Sequence, residues 1–190
     1  VAQKSVINEL KTAFKNGGEY KLPMNVTVSE QLLLTKGKKL NLDLNGYTLT
    51  STAELGATNG FIHTTGGDLS IINGRIVGKK GGYLFVTNGY SDFLRLALTD
   101  VDIVKSASSG SVFCFNDGTN IILKNVNLDA KGKVFYATKK DANKGGIRIE
   151  NGRYKATGLI FDFNPIIPVS FFGDCLFSDK SYNNPNVQWV

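Results

Sequence analysis

At 190 residues the chain suits one domain with a continuous core, and it leaves room for little else. Helix formers thin out after the first fifteen residues, whereas 21 glycines and frequent Asn, Thr, Val, Ile and Phe favour strands joined by tight turns. The formal charge of +6 comes from 18 Lys and 4 Arg, which fits a solvated lysine-rich surface, and no apolar run approaches membrane-spanning length.

In chain order, Ser5 is predicted to cap a helix reaching about Phe14, because Val6, Ile7, Leu10, Ala13 and Phe14 fall on one face. Asn16-Gly17-Gly18 ends it, so residues 1–18 read as a helical cap. Strands follow around Tyr20–Leu22, Val26–Val28 and Gln31–Leu34, then a turn at Lys36-Gly37-Lys38-Lys39. From Leu40 to about Asp179 a repeat governs. Its anchors are Asn45, Asn73, Asp100, Asn125, Asn151 and Asp174, spaced 28, 27, 25, 26 and 23 residues apart. Alternate positions before each anchor are apolar, as in Leu69 and Ile71, Leu96 and Leu98, Ile121 and Leu123, Ile147 and Ile149, which is the period of a β-strand. Apolar alternation resumes beyond it, so each anchor is expected at a corner between two strands.

Every interval holds another strand, at Gly60–His63, Tyr83–Val86, Val112–Phe115, Val134–Ala137 and Leu159–Phe163. Both faces of this class are apolar, the pattern of a sheet covered on both sides. If Asp162 points out, Phe85, Phe113, Phe135 and Phe161 stack inside, leaving Leu84, Val86, Val112, Cys114, Val134, Tyr136 and Ile160 as an outward column. Two covers are open: the tail from Ser181 to Val190 with long loops, or another subunit. A second stripe is expected from Lys79, Lys105, Lys131, Lys155 and Lys180, which follow their anchors by four to six residues and would line one basic edge. Residues 19–180 thus form a β-body and residues 181–190 a tail.

Intervals of about 25 residues without helices point to one solenoid coil per repeat. The segments Leu42-Asp43-Leu44-Asn45-Gly46-Tyr47-Thr48-Leu49, Ile71-Ile72-Asn73-Gly74-Arg75-Ile76 and Ile149-Glu150-Asn151-Gly152-Arg153-Tyr154 make the chain resemble the right-handed parallel β-helices of the pectate-lyase-like superfamily. The resemblance implies an all-β, single-stranded right-handed parallel β-helix of about six coils with an N-terminal capping helix. It also implies an internal asparagine ladder, whose amides donate to and accept from one another.

Enzymes of that superfamily use clustered Asp ligands for calcium with an Arg base, or paired carboxylates with a His, and neither set transfers here. The sole histidine, His63, stands beside Thr64-Thr65-Gly66-Gly67 without a catalytic signature. Of the carboxylate pair Asp100 and Asp102, the first belongs to the ladder and the second is expected to pair with Arg75. Cys114 and Cys175 show no metal-ligand spacing and read as free or buried thiols. The Asn25-Val26-Thr27 acceptor is expected to be idle in a chain that opens without a signal peptide. No catalytic residue, metal or cofactor is expected.

The functional expectation is a non-enzymatic component of a bacteriophage particle: a head decoration, fibre or tail part. Such a part would assemble in the host cytoplasm as a homo-oligomer, preferably a trimer, or with other virion proteins. Nucleic acid and membrane are not expected partners. The alternative is a carbohydrate-binding adhesin or polysaccharide-degrading enzyme, with a surface glycan as ligand.

Overall fold

The first helix, α1 (Gln3–Asn16), forms because Val6, Leu10, Ala13 and Phe14 make one apolar stripe, and all four are buried against the strands that follow. It starts earlier than its sequence signal. Ala2 is the N-cap and offers no side-chain bond, while Ser5 lies inside the first turn and donates from Oγ to Glu9 Oε1 at 3.0 Å. Good helix formers at Gln3 and Lys4 extend the helix past the serine. Gly17 ends it with φ of 78°, its N–H donating to the Ala13 carbonyl at 2.7 Å.

This computed structural model describes residues 2–55, 59–88, 94–116, 118–138, 144–178 and 184–190. Beyond α1 it is an all-β parallel solenoid of about six turns, each with three strand positions. The first turn comprises β1 (Gly18–Lys21), β2 (Val26–Val28) and β3 (Leu32–Thr35), and the second β4 (Lys39–Asp43), β5 (Thr48–Ser51) and β6 (Gly60–Thr65). In the third, β7 (Asp68–Gly78) runs through the first two positions and β8 (Tyr83–Thr87) fills the last; β9 (Leu94–Lys105) and β10 (Ser111–Phe115) repeat this in the fourth. The fifth holds β11 (Thr119–Lys124), β12 (Asn127–Ala130) and β13 (Lys133–Ala137), and the sixth β14 (Gly146–Ala156) and β15 (Phe161–Phe163). Two strands close the chain, β16 (Ile167–Phe177) and β17 (Val187–Trp189).

Equivalent strands stack in parallel. The first-position sheet runs β1-β4-β7-β9-β11-β14-β16-β17, and the third-position sheet β3-β6-β8-β10-β13-β15. Register makes the core: Leu40, Leu69, Leu96, Ile121 and Ile147 stack inward, as do Leu42, Ile71, Leu98, Leu123 and Ile149. On the facing wall Phe85, Phe113, Phe135 and Phe161 stack with ring centroids 5.0, 5.1 and 5.3 Å apart. Such offset aromatic contacts add about 0.5–1.5 kcal/mol each beyond the area that they bury. The tail docks: β17 pairs with Ile167–Val169, and Asn186 Nδ2 donates to the Phe163 carbonyl at 2.7 Å.

Candidate functional site

The repeat's anchor is a backbone device first. Asn45, Asn73, Asp100, Asn125 and Asn151 all adopt left-handed φ values, between 52° and 58°, at the corner between the first two strand positions. Asn and Asp tolerate that conformation best among residues with side chains. The bend uses one residue, so Ile71, Gly74 and Ile76 face inward while Ile72, Asn73 and Arg75 face out.

This corrects the inner-corner expectation, because the ladder lies on the outer side of the bend. Asn125 Nδ2 donates to Asp100 Oδ1 at 2.8 Å, and Asn151 Nδ2 to Asn125 Oδ1 at 3.2 Å. Asn73 instead reaches Asp43 Oδ1 at 3.4 Å. Asn45 also takes the corner, but two extra residues separate its flanking pairs, Asp43 with Ile72 and Thr48 with Arg75. Asp174 leaves the series. Gly173 takes the left-handed position with φ of 68°, and the Asp174 N–H donates to Asn151 Oδ1 at 2.9 Å.

The outward apolar column is also redrawn. Leu84, Val112, Val134 and Ile160 belong to the main core, since they fill the inner corner just before the phenylalanine stack. Gly78 marks the space they use: a Cβ there would lie 3.0 Å from Leu84 Cδ1. The residues that do face outward form a register His63, Val86, Cys114, Tyr136 and Asp162. Val86 and Cys114 are nevertheless buried. Tyr83 and Tyr136 stack at 6.1 Å from coils on either side of Cys114, and Lys133 lies 5.0 Å over the Tyr136 ring while pairing with Asp162 at 2.5 Å. The Tyr83 hydroxyl is pushed up to about 12, first by burial and then by Cys114 and Tyr136.

No continuous basic edge forms among the described lysines. Lys79 and Lys131 share an exposed position, but Lys105 is one register step earlier and points inward in the column of Gly78, Ala130 and Ala156. It is 2% exposed, and its Nζ donates to the carbonyls of Ala107 at 2.5 Å and Ser109 at 2.7 Å. Burial pushes its pKa down. Lys155 faces Asp129 at 3.6 Å, and Lys180 lies outside the described residues. Asp102 shares a register position with Arg75 but accepts from Asn127 Nδ2 at 3.1 Å, with no ion pair to Arg75 among the described residues. Asn25 is used structurally, its Oδ1 accepting the Thr48 N–H at 2.8 Å.

Candidate chemistry is sparse. Among the described residues no group of three or more His, Cys, Asp and Glu is placed to hold a metal, and neither Cys114 nor Cys175 is in a disulfide. A groove of about 490 Å³ lies on the first three coils, lined in part by Glu19, Tyr20, Asn41, Asp43 and Ser70. Its Asp43 carboxylate is occupied by the Asn45 N–H at 2.7 Å and Lys21 at 3.6 Å.

The more open surface is one the sequence reading overlooked, the C-terminal coil. Phe171 packs on Trp189 at 4.8 Å and on Phe177 at 4.9 Å, yet neither phenylalanine is fully buried. Phe172, Leu176 and Trp189 are 44%, 58% and 46% exposed. Its sequence signal was the break in polar-out alternation at Phe171-Phe172 and Leu176-Phe177. The chain matches no protein-family model, no curated protein and no solved structure at a significant level.

Proposed function

We propose that this protein is a non-enzymatic assembly component of a bacteriophage particle, a head decoration, fibre or tail part, and that its C-terminal coil is the contact surface. The observation that carries the assembly part is the open end: β17 covers only Ile167–Val169 of β16, and Phe172, Leu176 and Trp189 stay substantially exposed around it. An apolar strand edge of this kind is a template for pairing and an association liability unless something covers it. The phage setting rests on the resemblance of the corner repeats to β-helix proteins, and fold likeness alone is an associational warrant. A homotrimer or a neighbouring particle protein fits as the cover.

Sedimentation of the purified protein over a wide concentration range tests the assembly reading, with oligomers expected for the native chain and monomers for the Phe172→Lys, Leu176→Lys double variant. A native monomer that also binds no component of a purified particle overturns it. A glycan-binding or polysaccharide-cleaving role has the groove over the first three coils in its favour. We expect no new reducing ends and no unsaturated products from bacterial surface polysaccharides; turnover by the unmodified protein would reverse that expectation.

A further inference from the structure

We infer that His63 is a pH-sensitive side-chain tether between the first and second coils, bonded to Gln31 while its ring is neutral and losing that bond when the ring gains a second proton. The argument is one of donors and acceptors. Gln31 Nε2 donates to the Gly60 carbonyl at 2.8 Å, and a carbonyl only accepts, so this atom is fixed as an amide nitrogen. The same nitrogen lies 3.3 Å from His63 Nδ1, which must therefore offer its lone pair. On the other side His63 Nε2 lies 3.1 Å from Asn88 Nδ2, and Asn116 Nδ2 donates to Asn88 Oδ1 at 2.6 Å, so Asn88 also presents an amide nitrogen to the ring. A neutral ring has one such lone pair, so with Nδ1 accepting from Gln31 the Nε2 side is a contact with Asn88 and not a hydrogen bond.

A neutral ring satisfies Gln31. A charged ring carries N–H on both nitrogens and adds at Nδ1, against Gln31 Nε2, the donor–donor conflict that the neutral ring has only at Nε2 against Asn88 Nδ2. Either Gln31 abandons the Gly60 carbonyl or the ring turns away, and both outcomes remove one side-chain bond between Gln31 and β6, leaving the β3–β6 backbone ladder to hold the strands alone. No described carboxylate offsets this. The neighbouring strands β3 and β8 carry no charged side chain, their one ionisable group being the Tyr83 phenol. Glu30, the carboxylate nearest to Gln31 in sequence, is paired with Lys11 of α1. Burial of the ring acts in the same direction, pushing its pKa below the ordinary value. The sign follows: the unfolded chain takes up the proton first, so stability is complete above about pH 6.5 and declines as pH falls from there toward the depressed folded value.

The test is amide exchange followed by NMR between pH 7.5 and pH 5, corrected for intrinsic exchange, on the wild-type protein and on His63→Gln. Protection of β3 and β6 amides in the wild type is expected to fall several-fold more than that of β11 and β14, and the variant, whose amide bonds without titrating, is expected to show no such difference. Equal pH responses in the two proteins, or a flat response in the wild type, overturn the tether. Imidazole ¹⁵N shifts of the wild type keep the question decidable if the variant fails to fold. A lone pair on Nδ1 at neutral pH is expected, and an imidazolium formed with β3 protection intact rejects the inference.

Discussion

The two ends of the solenoid solve the same problem differently. At the N-terminal end α1 lays Val6, Leu10 and Phe14 over the first coil, and all three are fully buried. At the C-terminal end strands close the core only in part: β17 spans three residues of the eleven in β16, and Phe171 and Phe177, whose counterparts one coil earlier, Ile149 and Tyr154, are in the core, are half-buried. A helix satisfies its own backbone and needs only one apolar face, so it can finish a stack. A strand always offers its far edge to the next one. The difference makes the first end a stability element and the second a candidate contact.

The largest expected effect tests the closed end. Phe14→Ala should cost about 3–5 kcal/mol in denaturant unfolding, whereas Phe171→Ala at the open end should cost markedly less, because a half-exposed ring loses less burial. Equal losses would break the distinction between the ends. Between them, Lys105→Met keeps the stem but leaves the Ala107 and Ser109 carbonyls without their ammonium donor, so about 1–3 kcal/mol is expected, with faster exchange in residues 106–110. Asn125→Leu should cost about 1–2 kcal/mol from left-handed strain, and Asn125→Gly less than Asn125→Leu; since both variants remove the amide, equal losses would mean that the amide bonds, and not the bend, set the cost of the corner. Leu176→Lys comes last, with unfolding expected within about 0.5 kcal/mol of wild type. Its readout is association, and undiminished sedimentation would move the contact away from the open end.

How much was legible follows from the length scale of each signal. Corner positions 45, 73, 100, 125 and 151 were readable because a left-handed bend demands a small set of residues and recurs once per coil. The side of the corner was not readable, since the bend itself uses a residue and reverses the in-out count. Lys105 shows the same limit: counted from the anchor it resembles Lys79 and Lys131, but one register step places it inside, where two loop carbonyls replace water. Phe171 and Phe177 had the right periodicity for core residues, and nothing local announced that β17 would pair with only three residues of β16.

By itself, then, the sequence determined the repeat, the parallel stacking class, the inner phenylalanine column and the helix that begins the chain, because each depends on periodicity or on residues close in sequence. Only the tertiary structure decided that Leu84, Val112, Val134 and Ile160 fill a corner of the core, that Tyr83 and Tyr136 close over Cys114, and that Gln31 and Asn88 meet at His63. Those outcomes depend on register between coils some 25 residues apart, where a one-residue shift exchanges core for surface.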